Sequence, residues 1–250
     1  MKSLIIAFST YSKVPMPRIE WNEKSMKYSM CFFPFVGAVI GLLSVFCLWI
    51  MNKLGFGSIA TAAVLTVLPV IINGGIHMDG FLDTMDALSS WKTREERLVI
   101  LKDPHMGAFA CIYGIVYMLI VFGLFSEITG KEIILIAFGY VYSRILSGIS
   151  VVTLKKAKRN GMLASTADAS EKNVKWILIA ELILLAVFML YYNLLMGAVC
   201  LAAGALSFVY YRLMSYRVFG GITGDIAGFF LQICELVILL VVVIMGKIIA

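Results

Sequence analysis

Three aspartates that could act together stand within one eight-residue stretch of the sequence, at Asp79, Asp83 and Asp86. If this stretch is helical, the spacing of four and then three residues places all three carboxylates on one face. Like charges at this spacing weaken an isolated helix, so the arrangement needs a compensating partner. Mg²⁺ is the simplest candidate, because it favours a few carboxylates together with phosphate oxygens of a substrate. The spacing therefore predicts a metal site, with a solvated acidic loop capped by Asp79 as the plain alternative.

A glycine-rich turn precedes a fourth aspartate later in the chain, in the segment Gly220-Gly221-Ile222-Thr223-Gly224-Asp225. Backbone N–H groups at the positive end of a helix can cradle a phosphate. We therefore consider Gly221, Thr223 and Gly224 as phosphate-binding candidates and Asp225 as a further metal ligand. A tight turn that enters an apolar helix, with Asp225 as a simple cap, explains the same residues equally well.

Arg144 and Glu235 are ionisable residues that stand inside long apolar runs. Ionisable side chains are costly within lipid and are often functional there. An ion pair between the two would neutralise both charges. A purely structural pair and a substrate-binding role are equally consistent with the sequence.

The residues that flank the aspartate stretch suggest how it begins. Gly74 and Gly75 suit a bend of the backbone at the end of an apolar segment, and Gly80 permits close approach of a ligand. Asn73, just before them, could be a ligand or the cap of a helix end. His77 borders the same region, although a lone histidine more often has a structural role.

The composition indicates that the chain folds in a membrane. Of its 250 residues, 61% are hydrophobic and only 14% are charged, whereas soluble domains carry about 25% charged residues. Such a chain has too much apolar surface for a soluble core, so lipid is the expected environment. The five cysteines lie in apolar runs without a CxxC pair, and we expect neither a disulfide framework nor a cysteine metal site.

Seven segments are apolar and long enough to span a bilayer, which takes about 20 residues each. They are, in approximate numbers, 30–52, 57–76, 106–126, 132–152, 174–192, 195–213 and 226–248. We therefore predict an all-α integral membrane protein that forms one polytopic domain over residues 1–250. Residues 1–29 are expected to form an interfacial helix or a covering segment, without a cleaved signal peptide.

The distribution of Lys and Arg predicts the orientation of these spans. Of the 21 such residues, 17 lie in the N-terminal segment and in the loops after the second, fourth and sixth spans. By the positive-inside rule the N-terminus is cytoplasmic and the C-terminus is outside. The long loops 77–105 and 153–173 then face the cytoplasm, and any chemistry belongs to that face. The net charge of +6 is accordingly read as a topology signal and not as affinity for nucleic acid.

These motifs together resemble a known family. The stretch from Gly74 to Leu88 resembles the GGxHxDGxxDxxDGL signature of the cobalamin-5′-phosphate synthases, also called adenosylcobinamide-GDP ribazoletransferases. Residues 97–109 resemble the second acidic block of that family, and residues 220–235 resemble its C-terminal block. The resemblance covers nearly the whole chain in the right order.

The resemblance implies a Mg²⁺-dependent membrane enzyme of late cobalamin (vitamin B12) biosynthesis, in the cytoplasmic membrane of a prokaryote. Its substrates would be adenosylcobinamide-GDP and α-ribazole or α-ribazole 5′-phosphate. The ribose 3′-hydroxyl of α-ribazole would attack the phosphate attached to cobinamide, and GMP would leave. The product would be adenosylcobalamin or its 5′-phosphate. Nucleic acid is not expected as a partner, and a homo-oligomer is left open.

In phosphoryl-type transfer a protein mainly positions groups and stabilises charge, which suggests a role for each candidate. Asp103, or else His77, is expected to take the proton of the attacking hydroxyl. The expected Mg²⁺ ligands are Asp79, Asp83, Asp86 and Asp225. The expected substrate- and phosphate-binding residues are Asn73, Gly74, Gly75, Arg97, Lys102, Arg144, Gly221, Thr223, Gly224 and Glu235.

Other membrane proteins also carry aspartate-rich motifs. A CDP-alcohol phosphotransferase usually has DGxxAR, but no Ala-Arg pair follows Asp79-Gly80. A prenyltransferase would need two separated DxxxD-like motifs, and Asp225 has no such partner. A transporter would place its site near the membrane midplane, whereas the acidic residues here gather at one face.

Overall fold

The computed structural model describes residues 1–128, 130–158 and 161–249, and these fold into helices connected by short loops. The prediction of an all-α membrane protein is confirmed. The twelve α-helices of the described residues are α1 (Lys2–Tyr11), α2 (Glu23–Met26), α3 (Ser29–Lys53), α4 (Ser58–Asn73), α5 (Ile76–Ser89), α6 (Arg94–Ile100), α7 (Ala108–Ser126), α8 (Glu132–Thr153), α9 (Met162–Ala169), α10 (Val174–Tyr192), α11 (Leu194–Met214) and α12 (Gly224–Ile249).

Six stretches of the described residues are each long and apolar enough to cross a membrane. They are α3, α7, α8, α10, α12 and the continuous segment Leu194–Phe219, in which a π-helical turn, Ser215–Phe219, extends α11. Helices α4 and α5 pass the same test only as a pair, bent by 94°. Counting that pair as one broken span gives seven, in agreement with the sequence prediction.

The bend between α4 and α5 corrects the prediction of a loop over residues 77–105. Gly74 and Gly75 have φ of 63° and 80°, a left-handed conformation that ends α4 and that glycine adopts most easily. The chain then re-enters a helix, α5, whose buried side carries Phe81 and Ala87. Because three aspartates interrupt the apolar residues of α5, its mean hydropathy is low and the sequence suggested a loop. Within the predicted loop 77–105, only residues 90–93 and 101–105 are non-helical.

The N-terminal segment is more integrated than a covering loop. Helix α1 buries Ile6, Ala7 and Phe8 and packs against α3. The backbone N–H of Lys13 then donates to the Ile72 carbonyl at 2.7 Å. The segment is therefore fixed to the last turn of α4, just before the bend.

Helix α8 forms the centre of the bundle, and its most extensive contact is with α3. A Cβ at Gly37 on α3 would lie 2.3 Å from the Tyr140 carbonyl oxygen, so the two helices can approach this closely only at glycine. The five cysteines are all free.

The predicted loop 153–173 contains α9, and its first part pairs with the segment before α12. Lys156 and Ile222 form an isolated parallel bridge, with the Ala157 N–H donating to the Ile222 carbonyl at 2.9 Å. Arg159, one of the basic residues behind the predicted orientation, lies outside the described residues. This pairing brings a basic loop beside the glycine-rich turn.

Candidate functional site

Helices α5 and α12 cross at two glycines, and this crossing builds the site. A Cβ at Gly80 would lie 2.7 Å from the backbone oxygen of Asp225, and one at Gly228 would lie 3.0 Å from the His77 oxygen. Gly80 therefore gives room to α12 and not to a ligand, contrary to the sequence interpretation. The crossing brings Asp79 and Asp225 together, although they are far apart in the chain.

A cavity of about 340 Å³ lies beside this crossing. Asp79 and Asp225 line it, together with Lys102 and Lys158. His77 also lines it. Two acidic and two basic side chains therefore converge on one small space, which suits a ligand carrying both phosphate and hydroxyl groups.

The predicted metal ligands are close to one another without forming a closed cage. Asp83 is repelled electrostatically by other aspartates. Asp79 has the largest effect, followed by Asp225 and then Asp86. Among residues 1–128, 130–158 and 161–249, no three Asp, Glu, His or Cys side chains are close enough to hold one ion. Mg²⁺ commonly takes only one or two carboxylates, completed by water and substrate phosphates. Asp79 and Asp225, which line the cavity, would supply that number of carboxylates to a Mg²⁺ ion that also takes phosphate oxygens.

Asp86 has a different environment from the other aspartates of its motif. Its Oδ2 accepts from the Gly107 N–H at 2.7 Å, and its Oδ1 accepts from the Ala110 N–H at 2.8 Å. Gly107 is the N-cap of α7 and has no side chain to cap the helix. Asp86 thus supplies the cap from another helix, at the positive end of the α7 dipole.

The glycine-rich turn is partly closed by its own hydrogen bonds. The Gly221 N–H donates to the Ser215 carbonyl at 3.1 Å, so it is not free for phosphate. Thr223 is the residue that caps α12, because its Oγ1 accepts from the Ile226 N–H at 3.3 Å. The alternative of Asp225 as the cap is therefore wrong. Of the predicted cradle, Thr223 and Gly224 line the cavity.

Lys158 is a site residue that the sequence analysis missed. Its Nζ donates to the Leu98 carbonyl at 2.8 Å while the side chain lines the cavity. Burial and the nearby Lys102 lower the pKa of Lys158, and Asp225 acts in the opposite direction. The available signal was the basic run that begins at Lys155, which we interpreted only as a marker of membrane orientation.

The two candidate proton acceptors have contrasting surroundings. Asp103 is exposed, and its Oδ1 accepts from the backbone N–H of His105 at 2.9 Å and contacts the His105 Nδ1 at 2.7 Å. These bonds lower the pKa of Asp103. His77 is buried between Tyr11 and Phe33 and lines the cavity, which Asp103 does not.

Arg144 and Glu235 form the predicted ion pair deeper in the bundle. Arg144 Nη1 donates to Glu235 Oε1 at 2.7 Å and to the Tyr140 carbonyl at 2.8 Å. The Ser143 hydroxyl donates to the same Glu235 oxygen at 3.0 Å. The side chains are 0% and 9% exposed, and neither residue lines the 340 Å³ cavity.

The remaining predicted binding residues do not line the cavity. Asn73 is buried at the end of α4. Gly74 packs on Lys13, where a Cβ would lie 2.1 Å from Cε, and Gly75 begins α5 as its N-cap. Arg97 is half-buried on α6. Only Lys102 of the predicted basic residues reaches the cavity.

With this geometry in place, comparison with known proteins identifies the family. The sequence model described as cobalamin-5-phosphate synthase matches residues 3–243. The chain belongs to the cobalamin-5-phosphate synthase family. The resemblance found in the motifs is thereby confirmed, in preference to the CDP-alcohol phosphotransferases, prenyltransferases and transporters.

Curated members of this synthase family are similar to the chain over almost its full length. A protein of Lachnoclostridium phytofermentans is 47% identical, covering 98% of this chain and 94% of its own. A protein of Clostridium perfringens is 30% identical over 94% of both chains, and one of Desulfitobacterium hafniense is 31% identical over 96% of both. All three are named adenosylcobinamide-GDP ribazoletransferase. No solved structure matches the chain.

Proposed function

We propose that this synthase-family chain joins adenosylcobinamide-GDP to α-ribazole, or to α-ribazole 5′-phosphate, and releases GMP. The names of its full-length relatives supply the reaction class. The observation that carries the proposal within this molecule is the cavity at the α5–α12 crossing, where carboxylates and lysines converge. This is the chemistry that a diphosphate and an attacking hydroxyl require.

The proposed reaction breaks a phosphoanhydride bond and forms a phosphodiester bond. The 3′-hydroxyl oxygen of the ribose bonds to the phosphorus attached to cobinamide, and the bond from that phosphorus to the bridging oxygen of the diphosphate breaks. GMP leaves with that oxygen, and the hydroxyl proton passes to a base. The protein's contribution is mainly alignment and electrostatic stabilisation, as in phosphoryl transfer generally.

The carboxylates and the lysines divide this work. Asp79 and Asp225, with Asp83 beside them, would hold Mg²⁺. When bound, the ion would supply positive charge close to the diphosphate oxygens. Lys102 and Lys158 would neutralise phosphate oxygens that the carboxylates would otherwise repel. Because Lys158 is partly buried, its contact with phosphate would be screened less than that of an exposed lysine.

The proton acceptor remains a prediction with the same two candidates. Asp103 is the acid nearest to Lys102 in the chain, and its carboxylate carries the bonds to His105 described above. His77 has the better position, since it lines the cavity.

We further propose that the site faces the cytoplasm of a bacterial cell and that the membrane is the cytoplasmic one. The bias of Lys and Arg toward the same loops that form the cavity supports this orientation. The cavity residues Lys102 and Lys158 both come from those loops.

The proposal is tested by GMP release from the purified full-length chain in lipid nanodiscs. We expect GMP only when adenosylcobinamide-GDP, α-ribazole or its phosphate, and Mg²⁺ are all present. Removal of the metal with a chelator should stop release, and added Mg²⁺ should restore it. Absence of GMP release with every component present would overturn the proposed reaction, and release that persists with chelator would overturn the role of the metal.

A further inference from the structure

The cavity at the α5–α12 crossing has two chemically distinct walls. One wall is charged, and its members Asp79 and Lys158 both interact electrostatically with Asp225. The other wall is apolar and continuous, because its residues pack together in one hydrophobic cluster. The residues of the apolar wall are Tyr11, Met30, Phe33, Val151, Leu163 and Leu231.

His77 lies where the two walls meet. It belongs to the first turn of α5, two residues before Asp79. Its ring centroid is 6.1 Å from that of Tyr11 and 5.8 Å from that of Phe33. The residue is 5% exposed, and its Nε2 has no hydrogen-bond partner within the described part of the chain. Six other buried side-chain N or O atoms of the described residues also lack a partner, but His77 is the residue among them that lines the cavity. Since buried polar atoms are normally hydrogen-bonded, its Nε2 is placed to meet a bound molecule.

The size of the cavity limits what can occupy it. Pockets for small ligands commonly measure about 300–1,000 Å³, and this one is about 340 Å³. One nucleoside fits such a space, whereas a corrinoid is several times larger. Of the two proposed substrates, the corrinoid must therefore present only its diphosphate at the charged wall.

We infer that this cavity is the binding site of the nucleoside acceptor, with the aromatic base against the apolar wall and the ribose toward the charged wall. The Nε2–H of His77 donates to the free ring nitrogen of the base. This inference rests on the proposed function and places the nucleoside acceptor, one of its two substrates, in the cavity at the α5–α12 crossing. It also sharpens the role of His77, since a donating Nε2 is not the atom that accepts the hydroxyl proton.

The apolar wall predicts selectivity among bases. A benzimidazole is flat and apolar, and its one free ring nitrogen is its only hydrogen-bonding atom once the ribose is attached. A single bond from His77 therefore satisfies it. Adenine carries an exocyclic amine as well, which would be buried against carbon without a partner. Benzimidazole-type acceptors are therefore preferred over purine-type ones.

Equilibrium binding to the full-length chain in nanodiscs, without corrinoid, tests the contact directly. The probes are α-ribazole and an analogue in which a C–H replaces the free ring nitrogen of the base. The wild-type chain should bind α-ribazole roughly tenfold or more tightly than the analogue, since the analogue leaves the buried Nε2–H unpaired. In the His77→Phe variant this preference should vanish. A wild-type chain that binds both probes equally would overturn the inference, whether or not any variant folds.

GMP release then separates this inference from the proposed function. His77→Phe should raise the KM for α-ribazole and leave the KM for adenosylcobinamide-GDP unchanged, while the control Gly123→Ala, whose added methyl meets nothing within 4 Å, should change neither. A folded His77→Phe variant that keeps the wild-type KM and base preference would refute the nucleoside site but leave the reaction standing. A wild-type chain that binds α-ribazole selectively but releases no GMP would refute the reaction and leave the site standing.

Discussion

The molecule contains two groups of charged side chains that differ in how they are compensated. In the deep pair, Arg144 and Glu235 neutralise each other at 2.7 Å and are almost fully buried. We define the cavity cluster as Asp79, Lys102, Lys158 and Asp225, which line the cavity, together with Asp83 beside them. The carboxylates of this cluster repel one another. The charges of the deep pair are matched within the protein, whereas the charges that line the cavity are available to a ligand.

The aspartate motif of α5 contains both kinds of charge, one satisfied within the protein and one that lines the cavity. Asp86 is one of three aspartates at helical spacing, yet both of its oxygens accept backbone N–H groups at the start of α7. Asp79, on the same helix, lines the cavity. Residues of one type within one motif can therefore have different roles, which only their surroundings reveal.

The largest expected effect on stability comes from breaking the deep pair. Arg144→Met leaves the Glu235 carboxylate buried without its partner, and the free energy of unfolding should fall by about 3–5 kcal/mol. Replacing both residues with Met should recover most of that loss, because neither charge is then buried alone. Thermal unfolding in detergent measures both effects. A double variant that is stable but releases no GMP would show that the pair belongs to the site.

A smaller loss is expected from the crossing of α5 and α12. In Gly80→Ala the added methyl would lie 2.7 Å from the Asp225 backbone oxygen, so the helices must move apart. We expect a destabilisation of about 1–3 kcal/mol from overpacking, together with reduced GMP release. Gly123→Ala is the matched control, because a Cβ there meets nothing within 4 Å. Equal behaviour of the two variants would mean that the close approach is not required.

The smallest effect is expected from the cap that Asp86 provides. Asp86→Ala should cost about 1 kcal/mol in stability, as for loss of a helix cap, and should reduce GMP release less than changes at the cavity. Chemical denaturation and the GMP assay on the same preparation measure the two quantities. A large loss of turnover with unchanged stability would instead assign Asp86 to the metal site.

Much of the fold could be predicted because lipid imposes simple rules on sequence. The long apolar runs correspond to the candidate spans, and the Arg144–Glu235 pair follows from the cost of an isolated charge in lipid. The spacing of the aspartates indicated a helix correctly, although hydropathy alone assigned the same residues to a loop. Hydropathy fails there because α5 is apolar on only one side.

The site itself could be predicted only in part, since it depends on contacts between distant segments. The contact of Gly80 with Asp225 joins two helices that are far apart in the chain. The basic run that contains Lys158 has the composition of an ordinary cytoplasmic loop, and only its pairing with the turn before α12 brings it to the cavity. Spacing within one helix can be calculated from sequence, whereas the crossing of two helices depends on packing.

The most direct test of the division between the two charge groups is GMP release by Asp79→Asn and Asp83→Asn, each compared with the wild-type chain at equal amounts of folded protein. Both substitutions remove a repelling charge and keep the shape of the side chain, so the protein should remain folded and inserted in the membrane. We expect turnover to fall by about 10²–10³-fold or more, as when an electrostatic group of an active site is lost. Near-normal turnover in both variants would contradict the assignment of the cavity cluster as the reaction centre.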